Sequence, residues 1–158
     1  MSSCCRKVGA SASNLVSNLP NSVAAIYKRR VEFAETDMAG QVHFSNFFRY
    51  MEEAEHAIWR RAGMRIAADG REHQWPRISA HCDFKNRLRV DDEFEVRTEM
   101  ARVTNRTIQW AHTMMRGDTV IAQGTVTAVC VKLQPDGTFK AVEIPAEILE
   151  RLRSGLSG

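Results

Sequence analysis

A carboxylate and a flexible turn lie shortly before a predicted helix in the stretch ETDMAGQVHFSN, residues 35–46. Asp37 supplies the carboxylate, and Gly40 lets the backbone bend tightly or approach a ligand closely. A helix that begins at the end of this stretch presents unpaired backbone N–H groups and a partial positive charge. Such groups can hold an oxyanion or a polarised carbonyl oxygen. A carboxylate aimed at that carbonyl acts as a nucleophile or as a general base for water.

The same residues also have a purely structural interpretation. Aspartate in a glycine-containing loop is typical of a turn, because its side chain bonds nearby backbone. Spacing alone does not decide between the two, since catalysis requires a geometry that spacing cannot prove. At the level of the residues, both interpretations of Asp37 stay open.

The elements on either side of this loop follow from hydrophobic periodicity. Alternation of apolar and charged residues from Tyr27 to Phe33 predicts a first strand. After the loop, Ser45 or Asn46 is the predicted N-cap of a long helix, whose apolar side chains recur at helical spacing. These side chains are Phe47, Met51, Ala54, Ile58 and Ala62. Gly63 is placed to end the helix in a left-handed conformation.

Beyond the helix the apolar period changes to two, which indicates strands. Runs of this kind begin at Ile78, Glu93, Ile108 and Val120, and the last continues to Leu133. Short turn sequences between them predict antiparallel neighbours. One apolar helix must be covered by one sheet, and the sequence IPAEILERLR then closes the domain as a short helix. The predicted fold class is α+β, a long central helix wrapped by a five-stranded antiparallel sheet, in a single domain over residues 25–154.

Length and composition limit the classes of function. A chain of 158 residues suits one compact domain with its own core. The net charge of +3 is too small to indicate a nucleic-acid-binding protein, and no apolar run is long enough to span a bilayer. The four cysteines form no Cys-x-x-Cys pair, and His81 with Asp83 has no evident third ligand. We therefore expect no metal, no nucleic-acid partner and no membrane insertion.

The first two dozen residues differ from the rest of the chain. They are rich in Ser, Asn and Gly, and no acidic residue precedes Glu32. They lack the continuous apolar segment of a secretory signal. A disordered extension is expected for residues 1–24, with an organellar transit peptide as the alternative. Reduced cysteines and the missing secretory signal predict a cytoplasmic location.

The stretch ETDMAGQVHFSNFFRYMEEA resembles the signature of the 4-hydroxybenzoyl-CoA thioesterase family, which has the hot-dog fold. The family pattern is an Asp, two residues, a Gly, an apolar pair, two mostly aromatic residues, a small residue, Asn or Ser, an aromatic residue, and a helix with an acidic residue. In this sequence the pattern falls on Asp37, Gly40, Gln41-Val42, His43-Phe44, Ser45, Asn46, Phe47 and Glu52. The resemblance extends over about residues 26–150. It implies the fold already expected from periodicity.

The resemblance also implies a reaction and several roles. The reaction is hydrolysis of an acyl-CoA thioester to a carboxylic acid and free CoA, with no cofactor because coenzyme A is part of the substrate. Asp37 matches the catalytic carboxylate, and the backbone N–H of Phe44 matches the group that polarises the thioester carbonyl. Glu52 matches an acidic helix residue that faces the acyl pocket, and Arg106 matches a basic position that contacts CoA phosphates.

Two positions depart from the family pattern. His43 stands where an aromatic residue is usual, so it either hydrogen-bonds in the site or replaces a flat ring. In the turn VTNRT, Asn105 precedes a single Arg106 where some relatives have several basic residues. Fewer phosphate contacts are then expected there, or contacts moved to Lys85, Arg87 or Arg89. Glu52 in place of a shorter Asp argues against the 4-hydroxybenzoyl group itself as the acyl group.

Two aromatic residues of the predicted helix, Phe48 and Trp59, have both a structural and a functional interpretation. Large aromatic side chains usually bury in a core, but here they also fit contacts to an acyl group lying along the helix. The acyl group itself is not specified by the sequence.

Two other functions and an assembly are consistent with the sequence. A hot-dog hydratase or dehydratase would use a His with a Glu, here His43 with Glu52. A non-catalytic acyl-CoA binding or sensor module would share the fold without the reaction. An exposed edge strand invites pairing, and the family resemblance implies a homodimer or homotetramer with sites between subunits.

Overall fold

A computed structural model describes residues 24–66 and 73–157, so the extension expected at residues 1–24 lies almost wholly outside the described residues. The first strand, β1 (Ala25–Arg30), leads through a 3-10 turn (Phe33–Glu35) to the long helix α1 (Ser45–Arg61). Four long strands follow, which are β2 (Arg77–Phe84), β3 (Glu93–Val103), β4 (Thr107–Arg116) and β5 (Thr119–Val129). A small hairpin of β6 (Val131–Leu133) and β7 (Phe139–Ala141) precedes the terminal helix α2 (Ala146–Leu156).

The five long strands form one sheet in the order β1-β3-β4-β5-β2, and every neighbouring pair is antiparallel. The predicted α+β class is therefore confirmed, with one long helix packed against one five-stranded sheet. β1 and β2 are the edge strands. Most side chains of β2 are exposed, including Ile78 at 60% and Phe84 at 50%. No helix among the described residues is long and apolar enough to cross a membrane.

One face of α1 fills the space under the sheet. Of the apolar residues predicted from helical spacing, Phe47, Met51, Ala54 and Ile58 are buried, and Tyr50 and Trp59 join them. Ala62, the fifth, is the C-cap of α1 and is only partly buried. The N-terminal half of α1 packs with β3, β4 and β5 in one core cluster, and the C-terminal half packs with α2 in another. Gly63 has a φ of +68°, which confirms the predicted left-handed end of the helix.

The start of the chain differs from the prediction in two places. β1 ends at Arg30, and not at Phe33, because the chain turns at a capping box between Glu32 and Glu35. Phe33 is consequently 81% exposed. The N-cap of α1 is Phe44, and not Ser45 or Asn46, because the Asn46 side chain donates instead to the carbonyl oxygen of Glu35 at 2.8 Å.

The last long run of the sequence is divided, and not continuous from Val120 to Leu133. The chain leaves the five-stranded sheet at Cys130, whose N–H donates to the carbonyl oxygen of Arg106 and whose carbonyl oxygen accepts from Val142. The short strand β6 then pairs with β7. The N–H of Ile144 also donates to the carbonyl oxygen of Asn105 at 2.8 Å, so Cys130 and Ile144 both attach the C-terminal segment to the β3–β4 turn.

Candidate active site

The loop before α1 is closed by Asp37 itself. Its Oδ1 accepts hydrogen bonds from the backbone N–H groups of Ala39 at 2.8 Å and Gln41 at 3.3 Å. Gly40 has a φ of +69°, in the left-handed region that favours glycine. The structural interpretation of Asp37 as a turn residue is thus correct for one carboxylate oxygen. The other oxygen, Oδ2, accepts no hydrogen bond within the described part of the chain, and the side chain is exposed.

The loop is attached at both ends to neighbouring backbone. Thr36 forms a β-bridge with Val42, and Gln41 forms one with Arg89. The N–H of Val42 donates to the carbonyl oxygen of Leu88 at 2.9 Å. Because these bonds join the loop to itself and to the segment before β3, the position of the Asp37 carboxylate is fixed by the fold.

A partly buried ion cluster, which the sequence analysis missed, supports Glu35, the residue two before Asp37. Arg29 of β1 bonds Glu35 through Nη2 at 2.6 Å and Glu53 of α1 through Nε at 2.6 Å. Tyr50 donates its hydroxyl to Glu35 at 2.9 Å, and the Arg29 guanidinium lies 4.6 Å from the centre of the Tyr50 ring. The signal was present in the sequence, because the alternation places Arg29 on the same face as the apolar residues Tyr27 and Val31, and an inward arginine needs an acid.

The cluster is charged in the folded protein. Burial alone would raise the pKa of Glu35, but hydrogen bonds from Arg29, the Glu32 backbone and Tyr50 hold that pKa below its usual value. Burial alone would lower the pKa of Arg29, yet its bonds to Glu35 and Glu53 raise it. The Glu35 carbonyl oxygen accepts from the N–H of His43 at 2.9 Å, so the cluster supports the approach to α1.

The first residues of α1 present free donors. Phe44, the N-cap, has helical angles of −53° and −31° and receives no side-chain cap. Its N–H has no hydrogen-bond partner among residues 24–66 and 73–157. The N–H of Ser45 has only a long contact, 3.4 Å, to Nδ1 of His43. The helix N-terminus therefore has the unpaired N–H and partial positive charge that hold a polarised oxygen.

A cavity of about 250 Å³ opens beside this N-terminus. Its apolar wall includes Phe44, Phe47 and Phe84, and the last two rings make an edge contact at 5.0 Å. Lys85 and Arg87 lie on its other side. The cavity thus brings Gln41 and Val42, at the end of the Asp37 loop, together with two predicted site residues, Phe44 and Lys85. Asp37 itself does not line it.

His43 and Glu52 do not form a pair. His43 Nδ1 lies 2.8 Å from the hydroxyl of Ser45, and its ring lies 4.6 Å from that of Phe44. Glu52 instead faces His56 at 3.9 Å and lines a second cavity with Phe48. These two residues therefore do not form the His-plus-Glu pair expected of a hydratase.

Three other predicted site residues lie away from this region of the chain. Asn105 and Arg106 occupy the turn between β3 and β4. The loop of Asp37 pairs with the segment that precedes β3, so the whole length of that strand, Glu93–Val103, separates the two ends. Trp59 is 2% exposed and packs on Trp75 in the core cluster shared with α2. Trp59 is a core residue, and Arg106 approaches an Asp37 loop only if another subunit supplies it.

No group of three or more metal-ligating side chains occurs among the described residues. His81 and Asp83 approach within 3.3 Å on the exposed face of β2. Cys82 and Cys130 are free thiols. Burial raises the pKa of Cys82 to about 11, so this thiol is a weak nucleophile.

Glu55 of α1 is a buried carboxyl group. The sequence analysis did not distinguish it from the neighbouring acids Glu52 and Glu53. Its side chain is 1% exposed, bonds Arg77 at 3.0 Å and accepts from the indole N–H of Trp59 at 3.2 Å. Burial raises the pKa of Glu55 to about 7, although Arg77 and Trp59 oppose the rise. Glu52 adds a smaller repulsion that raises the pKa of Glu55 further.

The pKa of Glu55 predicts a pH dependence of stability. Folded Glu55 retains its proton between pH 4.5, the ordinary pKa of a glutamate, and about 7, whereas an unfolded chain loses it over this range. Its contribution to the free energy of unfolding therefore decreases as pH rises through this window, by about 1 kcal/mol per pH unit. In Glu55→Gln this slope is absent, so urea denaturation should show the variant gaining stability relative to wild type from pH 4.5 to 7. Parallel stability curves for the two proteins would contradict an elevated pKa.

Comparison with known proteins identifies the family of this chain. The family model of the thioesterase-like superfamily matches residues 31–152. A protein of Aquifex aeolicus (strain VF5), named as a candidate esterase, is 35% identical over 131 residues, which are 81% of this chain and 97% of that protein. Acyl-CoA thioesterase YbgC of Haemophilus influenzae is 26% identical over 121 residues, covering 75% of this chain and 87% of that protein.

A solved structure supports the fold alone. The crystal structure of a 4-hydroxybenzoyl CoA thioesterase variant with its substrate has a TM-score of 0.74 at 19% identity, and the match covers 83% of this chain and 99% of that chain. The hot-dog fold expected from the sequence is thereby confirmed. Because the family model covers most of the chain, including the Asp37 loop, α1 and the whole sheet from β2 to β5, the protein belongs to the thioesterase-like superfamily.

Proposed function

We propose that the protein hydrolyses an acyl-CoA thioester to a carboxylic acid and free CoA. The observation that carries the proposal is the juxtaposition at the start of α1. A loop fixed by backbone bonds carries the Asp37 carboxylate with one oxygen free, and the unpaired N–H of Phe44, the N-cap of α1, follows seven residues later. A carboxylate and an oxyanion donor are the two groups that acyl transfer to water requires.

In this proposal the thioester carbonyl oxygen accepts the N–H of Phe44. Asp37 Oδ2 then either attacks the carbonyl carbon or takes a proton from the attacking water. Negative charge develops on the carbonyl oxygen, where the partial positive charge of the α1 N-terminus stabilises it. Gly40 provides the left-handed turn that the loop needs, and the ring of His43 lies 4.6 Å from that of Phe44, tilted by 37°.

The proposed CoA-binding residues come from two regions. Lys85 and Arg87 lie at the cavity beside Phe44, so they are suited to the phosphates of the CoA whose thioester enters there. Asn105 and Arg106 lie at the far end of β3 and would serve the site of a second subunit.

The function is tested by thiol release from a panel of short, long, aryl and hydroxylated acyl-CoAs. We expect at least one thioester to be hydrolysed with free CoA appearing in equal amount to the acid. Binding of acyl-CoA without thiol release across the whole panel would contradict hydrolysis and indicate a non-catalytic binding module. Hydration of an enoyl-CoA without thiol release would contradict hydrolysis and indicate a hydratase.

The assembly proposed for this function is a dimer, or a tetramer of such dimers. Exposed apolar side chains surround the candidate site and continue onto the β2 edge, and they are Phe33, Met38, Phe44, Ile78 and Phe84. An exposed edge strand with apolar side chains is suited to pairing with another copy. Pairing would also bring a second Arg106 into the assembly.

Sedimentation equilibrium tests the assembly. Wild type is expected to sediment as a dimer or larger, and Ile78→Lys on the β2 edge should shift it toward monomer. Leu133→Lys is a matched control. Leu133 is 55% exposed, close to the 60% of Ile78, but it lies on the separate β6–β7 hairpin. A wild-type protein that stays monomeric at every concentration would refute the assembly.

A further inference from the structure

Three hydrogen bonds join Glu35, His43 and Asn46 in a closed cycle beside the candidate site. The carbonyl oxygen of Glu35 accepts the N–H of His43 at 2.9 Å and the side-chain amide of Asn46 at 2.8 Å. The backbone N–H of Asn46 in turn donates to the carbonyl oxygen of His43 at 2.9 Å. The cycle therefore connects the chain just before Asp37 with the first turn of α1.

The cycle includes the peptide group that carries the proposed oxyanion donor. The carbonyl oxygen of His43 and the N–H of Phe44 belong to one peptide group, which is planar and trans. In a trans peptide the C=O and the N–H point in opposite directions. The bond from the Asn46 N–H to the His43 carbonyl oxygen therefore also sets the direction of the Phe44 N–H.

Glu35 is a fixed point for this cycle, because its side chain is held from several directions. The carboxylate accepts two bonds from Arg29, at 2.6 and 2.8 Å, and one from the Tyr50 hydroxyl at 2.9 Å. It also accepts the backbone N–H of Glu32 at 2.9 Å. Glu35 lies two residues before Asp37, so at most about 7 Å separates their Cα atoms. A bond to Glu35 is therefore a bond to the start of the Asp37 loop.

Two contacts with Glu35 hold the helix start more tightly than one. The bond from His43 alone would leave the first turn of α1 free to pivot about a single oxygen. The side chain of Asn46, which is buried, supplies the second contact three residues further along the chain. The Asp37 loop is held separately by its own β-bridges. The second contact therefore determines where the Phe44 N–H lies relative to the Asp37 carboxylate.

We propose that Asn46 is a positioning residue for thioester hydrolysis, which fixes the Phe44 N–H relative to the Asp37 carboxylate. The inference rests on the proposed function, because it takes the Phe44 N–H as the donor to the thioester carbonyl oxygen. Asn46 acts through its bond to Glu35, and not by contact with the substrate. A misplacement of about 1 Å at a reacting centre can lower the rate by about a hundredfold.

Asn46→Ala removes the second contact with Glu35. The Glu35 carbonyl oxygen keeps its bond from His43, so no carbonyl group of the cycle loses its last partner. On the acyl-CoA that wild type hydrolyses fastest, we expect kcat to fall about 10- to 100-fold and KM to stay within about threefold, because a misplaced donor weakens the stabilisation of transition-state charge. Asn46→Leu, which has a side chain of similar shape and no donor, serves if the alanine variant fails to fold.

The matched control lies at the other end of α1. The Arg151 side chain also donates to backbone carbonyl oxygens, those of Ala62 at 3.1 Å and Gly63 at 3.0 Å. Arg151→Met removes these bonds and keeps an apolar stem, so it destabilises the helix end without touching the cycle. Its kcat should stay within about twofold of wild type, and thermal unfolding compares the stability of the two variants. A fall in its kcat as large as that of Asn46→Ala would assign the effect to general destabilisation and overturn the positioning role.

The decisive measurement repeats Asn46→Ala in two backgrounds that differ in the donor. In Phe44→Ala the N–H is present, and adding Asn46→Ala should again lower kcat about tenfold or more. In Phe44→Pro the N–H is absent, so no donor remains to be positioned. The same addition should then change kcat by less than about threefold. A merely structural contact would cost the same in both backgrounds.

The positioning role and the proposed function fail in different ways. Equal costs in the two backgrounds, or an unchanged kcat in Asn46→Ala, would overturn the role of Asn46 while leaving thioester hydrolysis intact. A wild-type protein that releases no thiol from any acyl-CoA of the panel would overturn the hydrolysis, and the positioning role with it.

Discussion

Asp37→Asn is expected to lower kcat/KM for thioester hydrolysis by a factor of about 10²–10⁴, the contribution of a positioned acid–base group. The substitution keeps the shape of the loop, because an amide oxygen can accept the same hydrogen bonds from Ala39 and Gln41 that Oδ1 accepts now. It removes the basic and nucleophilic oxygen. The folded structure should therefore survive while hydrolysis is lost, and thermal unfolding together with thiol release measures both.

The chain offers a matched control for this substitution. Asp136 also closes a glycine-containing turn, with Oδ1 accepting from the N–H of Thr138 at 2.9 Å and with Gly137 at a φ of +84°. Asp136→Asn should change neither stability nor turnover appreciably. If Asp37→Asn hydrolyses acyl-CoA as fast as Asp136→Asn, then Asp37 is a turn residue and nothing more.

Isotope labelling can distinguish two chemical roles of Asp37, nucleophile and general base. An attack by Oδ2 forms a mixed anhydride, which water must then open, whereas a general base leaves the carboxylate unmodified. In a single turnover in heavy-oxygen water, anhydride opening at the aspartyl carbon places label in Asp37. Label confined to the released acid is expected from general-base catalysis, or from anhydride opening at the acyl carbon.

The fold was predictable because its signals are periodic. Apolar residues at helical spacing placed Phe47, Met51, Ala54 and Ile58 on one buried face, and alternation located the strands of the sheet. The errors occur where local hydrogen bonds override periodicity. The capping box at Glu35 ends the first strand early, and the backbone of Cys130 turns away from the sheet to bond Arg106 and Val142.

The candidate site was only partly predictable, because its parts are of different kinds. Asp37 and Gly40 lie in one local motif, so spacing and family resemblance find them. Glu55 and Arg77 lie 22 positions apart, and their contact depends on how β2 crosses α1. In the sequence, Glu55 is one of three acids within four residues of an amphipathic helix, and a charged residue there is normally solvated. Burial is a property of the assembled fold.

Phe44→Pro is the second substitution with a large expected effect, because it deletes the backbone N–H donor of the proposed oxyanion site. Proline lacks a backbone N–H and fixes φ near −65°, close to the −53° observed at Phe44. Proline is well tolerated at the start of helices. The deleted N–H makes no hydrogen bond to the described residues, so its loss leaves no carbonyl group unpaired there.

The control is Phe44→Ala, which removes the same ring but keeps the N–H. Both variants lose the ring contact with His43 and part of the cavity wall, so both should bind acyl-CoA less tightly. Only the proline variant loses the donor to the developing oxyanion, and it should have a kcat about 10²–10³-fold below that of the alanine variant. The difference belongs in kcat, because the donor stabilises charge that forms in the transition state. Equal kcat values in two folded variants, with folding checked by circular dichroism, would remove the Phe44 N–H from the mechanism and leave Ser45 as the remaining donor at this helix end.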